Sequence, residues 1–318
     1  GAVRVPLCTF ATLSTHIENF EGSYISLAQF SGERNQGPRT LEAISNPNCG
    51  WLYQARPDDF KKVPGSPLAY WMKNIVRSLF QNATALGDLS SPRKGCSTSN
   101  NDRFLRAWPE VDKRLVGLEL KKYDESFRWI PYNKGGGYLK WYGHNNFVVD
   151  WLNEGAAIRA IPTAVIANEP FFFRPGLTWG TVTSSHFSIR WFDLGFIFDN
   201  GGCCIFDCAG RRPYLITLLN SKVFPAVLGS INPTLNFQSG DVAKFPVVYE
   251  NSIQEQVSDN GRRLVEIARK DWDAYERSWD FESLPLLAVT SAGRLASSYA
   301  GWLNQNQNTI TEMNRLEE

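Results

Sequence analysis

Two stretches of this 318-residue chain gather side chains suited to binding rather than to filling a core. The first opens Ser97-Thr98-Ser99-Asn100-Asn101 and closes with Arg103 and Arg106 on an apolar frame of Phe104, Leu105 and Trp108. Short hydroxyl and amide side chains hydrogen-bond nearby backbone, so Ser97–Asn101 is expected to be a loop. Asn101 or Asp102 would then cap a short helix, with Arg103 and Arg106 about one turn apart. Hydroxyls, amides and guanidinium forks together form a donor set for phosphates and base edges. The same residues also fit a plainly capped surface helix with two solvated arginines. In the second stretch, Lys134-Gly135-Gly136-Gly137 is followed by Lys140, Trp141, His144, Asn145 and Asn146. Consecutive glycines allow another backbone to come close, the lysines supply charge, and an asparagine amide can pair bidentately with adenine. A glycine hairpin with aromatics in a core is the alternative. A nucleotide phosphate loop is excluded, because no Gly-Lys-Ser/Thr ends the run.

These stretches need a scaffold. Alternation over residues 3–13 predicts a buried first strand, and Gly22–Phe30 a second. Residues 31–50, rich in Gly, Pro, Asn and Arg, read as a long connection. Ser66-Pro67 reads as the start of a helix burying Leu68, Trp71, Ile75 and Leu79 and ending near Gln81-Asn82. A strand running into the three glycines, and short strands with turn signals from 158 to 198, imply a twisted, mostly antiparallel sheet. A helix from Tyr214 is expected to stop at Pro225. The tail predicts two amphipathic helices, one started by Ser258-Asp259 with Leu264, Ala268, Trp272, Tyr275 and Trp279 on its stripe, the other with Leu295, Tyr299, Trp302, Ile310 and Met313. The class is α+β: a mixed, mostly antiparallel sheet domain with flanking helices and a helical C-terminal part.

Composition narrows the possibilities. With 43% hydrophobic and 20% charged residues, the chain is that of a globular protein of about two domains. No apolar run is long enough to span a membrane, and the first residues lack a signal-peptide pattern. With no initiator Met, the chain reads as a piece of something longer. Six cysteines without framework spacing, and three histidines without a metal-ligand pattern, point to reduced thiols and a cytoplasmic setting. Net charge is +1, but residues 93–140 carry eleven Lys/Arg against six Asp/Glu, and residues 250–318 carry seven against twelve. Any surface facing a polyanion is therefore expected in the middle of the chain.

Several peptides, in order, carry a resemblance. Lys61-Lys62-Val63-Pro64-Gly65-Ser66-Pro67, Asn101-Asp102-Arg103-Phe104, Pro131-Tyr132-Asn133-Lys134-Gly135-Gly136, Lys140-Trp141-Tyr142-Gly143, Gly176-Leu177-Thr178-Trp179, Gly195-Phe196-Ile197-Phe198-Asp199, Leu218-Leu219-Asn220-Ser221-Lys222, Asn232-Pro233-Thr234-Leu235-Asn236-Phe237-Gln238 and Asp271-Trp272-Asp273 resemble the PglX-type adenine-specific DNA methyltransferases of BREX phage-defence systems. The resemblance implies that 1–92 is the end of the catalytic domain with a connecting helix, 93–250 the DNA target-recognition domain, and 251–318 the start of a C-terminal helical region. It makes Ser99, Asn101, Asp102, Arg103, Lys134, Gly135, Lys140, Trp141, Asn145, Trp179 and Ser184 candidate contacts to double-stranded DNA. The implied partners are the catalytic methyltransferase domain of the same parent chain and other defence-system proteins, with no membrane.

Adenine amino-methylation needs an Asn/Asp-Pro-Pro-aromatic loop that grips the exocyclic amine of a flipped base. Asn46-Pro47-Asn48-Cys49 and Asn232-Pro233-Thr234-Leu235 both lack the second proline and the aromatic. No glycine-rich strand-to-helix turn for S-adenosylmethionine is present either. The expectation is a DNA-recognition fragment with no catalytic, cofactor or metal residues of its own, S-adenosylmethionine belonging to the full-length parent. The alternative is a protein–protein docking scaffold within the same defence complex.

Overall fold

The structure, a computed structural model, describes residues 8–183, 186–232, 234–249, 251–288 and 294–318. Its compact units are residues 1–81 and 82–318, so residues 82–92 and the C-terminal helices belong to the same body as the central sheets.

In the first unit, strands β1 (Gly22–Ile25) and β2 (Leu52–Ala55) pair antiparallel, with Tyr24 opposite Tyr53. Tyr24 stacks on Tyr70 at 4.9 Å and meets Phe60 edge-on at 5.7 Å. The first expected strand lies partly on residues 1–7, outside the described residues; 8–13 form no strand, and Phe10 and Leu13 are exposed. The expected connection at 31–50 is instead largely helix α1 (Glu33–Ser45), with Pro38 inside it. There, helix formers outvote the glycine and proline signals, and an Arg39–Glu42 pair (2.6 Å) spans one turn. Helix α2 is the single turn Pro57–Phe60, and α3 runs Asn74–Asn82. The helix expected from Ser66-Pro67 therefore starts seven residues late, at Asn74 rather than Pro67. Ser66 holds φ at 47°, which no right-handed helix accepts, and turns fill the gap. Trp71 is 46% exposed and Leu68 and Ile75 are more so; the reading of Trp71 as core is corrected.

The second unit contains β3 (Thr84–Ala85), α4 (Leu86–Leu89), β4 (Ser91–Arg93), α5 (Asn101–Phe104), β5 (Leu105–Ala107), β6 (Trp129–Asn133), β7 (Trp141–Tyr142), β8 (Phe147–Asp150), α6 (Leu152–Arg159), β9 (Gly176–Gly180), β10 (Ile189–Phe192), β11 (Ile197–Phe198), β12 (Gly202–Phe206), α7 (Arg212–Asn220), α8 (Val223–Leu228), α9 (Ser239–Ala243), β13 (Pro246–Val247), α10 (Asn251–Asp273), α11 (Pro285–Ala288) and α12 (Leu295–Glu317). A five-stranded sheet runs β4-β12-β9-β10-β7, a four-stranded sheet β11-β6-β8-β5, and β13 pairs with β3. All pairs are antiparallel except β10 with β7 and β11 with β6, so the α+β, mostly antiparallel expectation holds.

One core joins the two sheets. Cys204, Phe206 and Phe192 come from the larger, and Leu105, Ile130, Tyr132, Val149, Ile197 and Phe198 from the smaller. The other face of the larger sheet carries Trp179, which is fully buried and touches Phe187. On that side Ile189 and Asn220 of α7 exchange hydrogen bonds of 3.0 and 2.9 Å. The expected single helix ending at Pro225 is two: α7 stops at Ser221, and Pro225 sits in the first turn of α8, where its missing N–H has no partner to lose. The helix expected from Ser258-Asp259 begins earlier, at Asn251, and buries Leu264 and Trp272. The second tail stripe does not bury: Leu295, Tyr299 and Ile310 are exposed.

Candidate nucleic-acid interface

The first polar stretch is a loop, but its donors are largely spent internally. The cap of α5 is Asn100, not Asn101 or Asp102: its side chain accepts from the Arg103 N–H at 3.0 Å. Thr98 Oγ1 donates to Asn101 Oδ1 (2.8 Å), and Ser99 Oγ donates to the Thr163 carbonyl (2.6 Å). The helix lasts four residues, so Arg106 falls on β5 and folds back onto the carbonyls of Asp102 and Leu105. Arg103 and Arg106 therefore do not form the expected helical pair. Arg103 is exposed, with its guanidinium carbon 4.9 Å from the Phe104 ring centroid.

The second stretch links the two sheets: β6 enters it from the four-stranded sheet and β7 leaves it in the five-stranded one. It is not a hairpin, since β6 pairs with β8. Its glycines are required by contact. A Cβ on Gly135, whose φ is 87°, would come 2.5 Å from the Gly201 carbonyl oxygen, and one on Gly180 would come 2.8 Å from the Gly136 carbonyl oxygen. Arg190 Nη2 donates to the Gly135 carbonyl (2.9 Å), and His144 Nε2 lies 3.2 Å from the Gly137 carbonyl. Around this loop other turns interlock. Asp199 N–H donates to Asn133, Asn200 N–H to Cys96, Thr181 N–H to Gly201, Thr183 N–H to Leu235, and Phe237 N–H to Thr181. Segments 133–138, 180–183, 199–202 and 234–238 thus gather at one end of the sheets, with Lys134 and Lys94 as nearby cations. Asp199 in this cluster has its carboxyl raised by burial, which outweighs the Gly201 N–H and the Tyr132 hydroxyl that it accepts.

The expected contacts divide accordingly. Lys134, half-buried over Phe147, and Gly135 belong to the gathered end. Trp179 supports it from inside, its Nε1 donating to the Phe237 carbonyl at 2.8 Å, so its side chain is not available to a ligand. Trp141 and Asn145 are likewise buried. Lys140 pairs with Glu317 at 2.9 Å, and Trp141 Nε1 donates to the same carboxylate at 2.7 Å. The last turn of α12 thereby occupies both groups. Ser184 lies outside the described residues. Asn101, Asp102 and Arg103 are exposed but at another corner: Leu105 pairs with Val149, which pairs with Ile130, so Arg103 sits beyond the end of the sheet opposite Lys134. Strand rise and spacing separate the two by at least about 15 Å.

Sequence reasoning missed Arg190, which reads as one polar position in an apolar strand. It is 1% exposed and lies in register with Thr178, itself in register with Cys204, on the inward face. The cysteines offer no chemistry here. Burial pushes the Cys96 thiol up to about 12 and that of Cys203 to about 11. Among the described residues no three His, Cys, Asp or Glu side chains gather as a metal site, and no helix is long and apolar enough to cross a membrane.

No family model matches the chain. It is 31% identical over 313 residues to the adenine-specific methyltransferase PglX of Lacticaseibacillus casei (strain Zhang), a match covering 95% of this chain and 26% of that protein. It is 33% identical over 289 residues to the adenine-specific methyltransferase BrxX of Escherichia coli O9:H4 (strain HS), covering 89% and 23% respectively. The chain therefore spans about a quarter of the length of these curated relatives. Along almost its whole length, its sequence is related to one segment of these PglX-type proteins.

Proposed function

We propose that this chain is the DNA-recognition part of an adenine-specific DNA methyltransferase of a bacterial defence system, and that residues 133–138, 180–183, 199–202 and 234–238 face duplex DNA. The observation that carries this reading is the gathering of loops from both sheets around Lys134 and the three glycines. The relatives' names supply the chemistry of the parent. Asn101, Asp102 and Arg103 offer a second, weaker contact at the opposite corner. On this reading the base-gripping loop and S-adenosylmethionine belong to the rest of the parent, and this chain chooses the sequence through base-edge contacts.

Two measurements test it. Fluorescence anisotropy with labelled duplex DNA should show binding that weakens steeply as salt rises. Placing this chain in the L. casei PglX in place of its matching segment should move the methylated motif away from the native one. A motif that stays unchanged would favour protein–protein docking instead, for which the exposed Leu295, Tyr299, Leu303 and Ile310 of α12 offer an apolar surface.

A further inference from the structure

A buried cation without a counter-charge is costly, and its persistence asks for a reason. Arg190 is such a group. Its Nη2 donates to Gly135, its Nε and Nη1 have no partner, and no carboxylate among the described residues pairs with it. Desolvation lowers its pKa only to about 10, so it stays charged at neutral pH.

The glycine loop above it has a consistent orientation. The Gly135 carbonyl points inward to Arg190, the Gly136 carbonyl lies against Gly180, and the Gly137 carbonyl faces the His144 ring. A trans peptide places its N–H opposite its C=O. The N–H groups of Gly136, Gly137 and Tyr138 therefore point opposite to the Gly135, Gly136 and Gly137 carbonyls. All three residues are exposed, and none of these amides has an acceptor among the described residues. Three successive amides without an acceptor, over a buried positive charge, suit an anion.

We infer that Gly136, Gly137 and Tyr138 form a site for one phosphodiester group of the DNA backbone, with Lys134 beside it and Arg190 as the positioning charge beneath. This rests on the DNA-recognition reading and deepens it: the glycine loop sets position on the duplex, and sequence is read elsewhere on the same end. Arg190 acts twice, holding the Gly135 carbonyl so that the next amide turns the opposite way, and lending its field to the site through a low-dielectric interior.

The test follows the glycine amides directly. The full chain, labelled with [15N]glycine, is titrated at low salt with a short mixed-sequence duplex and, separately, with inorganic phosphate. The duplex should shift the Gly136 and Gly137 amides saturably, and anisotropy should give the same affinity. Arg190→Met should weaken that shift by about tenfold, the scale of one charge-assisted contact. If Arg190→Met does not fold, Lys134→Ala, a change at a half-buried surface residue, should weaken it in the same direction. Duplex binding that leaves both amides unmoved overturns the phosphate site while sparing the DNA reading. No duplex binding at all overturns the DNA reading itself. Shifts with inorganic phosphate but not with duplex identify a free-anion site and overturn the phosphodiester assignment.

Discussion

The two polar loops of the second unit invert what their compositions suggest. Ser97–Arg103 is dense in side-chain donors, yet Thr98, Ser99 and Asn100 are bonded to Asn101, Thr163 and Arg103. Lys134–Tyr138 has three residues with no side chain at all, yet its carbonyls are held by Arg190, Gly180 and His144 while its Gly136, Gly137 and Tyr138 amides have no acceptor among the described residues. Polar side chains near backbone are consumed by the fold that they help to build. Backbone donors at glycines are freed by contacts made elsewhere in the chain. The comparison predicts that the glycine loop is sensitive to changes beneath it, and the hydroxyl loop only to loss of its own cap.

The largest effect should come from the support of the glycine loop. Trp179→Ala removes a fully buried indole and its bond to Phe237, and should cost about 3–5 kcal/mol in urea unfolding. Trp71→Ala, at a half-exposed site, should cost far less. Equal losses would mean that the first unit buries Trp71 after all. Next, Gly135→Ala forces a Cβ toward the Gly201 carbonyl at a left-handed φ and should cost about 2–3 kcal/mol. An unchanged midpoint would show that the loop can move aside, and the rigidity argued for it would be lost.

Acid should act on the same loop. Burial, with Arg190 and Arg277 nearby, lowers His144 to about 4 in the folded state, against an ordinary 6.5. The unfolded chain then binds the proton first. Stability contributed by neutral His144 is complete above pH 6.5 and falls as pH drops towards 4, by less than about 1.4 kcal/mol per pH unit. His144→Gln should flatten the decline between those values relative to the parent chain, and parallel curves would remove His144 from the account. On the other loop, Asn100→Ala removes the α5 cap and should cost about 1 kcal/mol. Hydrogen exchange at Arg103 should quicken.

Fold class was legible because alternation and helical spacing are local: β6 and β9 stand where the apolar pattern put them, and α7 and α10 do so apart from their ends, whereas β12 lay past the stretch read as strands. Helix α1 was hidden by Gly37-Pro38, and the reading of Trp71 failed because a tryptophan at helical spacing says nothing of the φ at Ser66. For the site, Lys134 and the glycines were visible as composition. Which carbonyl each glycine would offer, and to whom, depended on Arg190 and Gly180, more than forty residues away. Trp141, Asn145 and Trp179 had the right chemistry for DNA, but the fold buries all three. Lys140 was claimed by Glu317 at the far end of the chain.

The smallest effect discriminates most. Each phosphate neutralised by a lysine or arginine adds about 0.9 to the slope of log affinity against log salt. Lys134 stands beside the amides of Gly136, Gly137 and Tyr138, whereas Arg103 leans on the Phe104 ring at the opposite corner. Lys134→Ala should therefore lower the slope by nearly that amount, and Arg103→Ala by less than half of it, with both variants unfolding as the parent chain does. A full loss of slope in each would mean that one duplex runs across both corners, so that the two loops act as one surface and their contrast is only one of construction. Loss with Arg103→Ala alone would reverse the assignment: the hydroxyl loop would carry the phosphate contact despite its internal bonds, and the amides of Gly136, Gly137 and Tyr138 would be left to water.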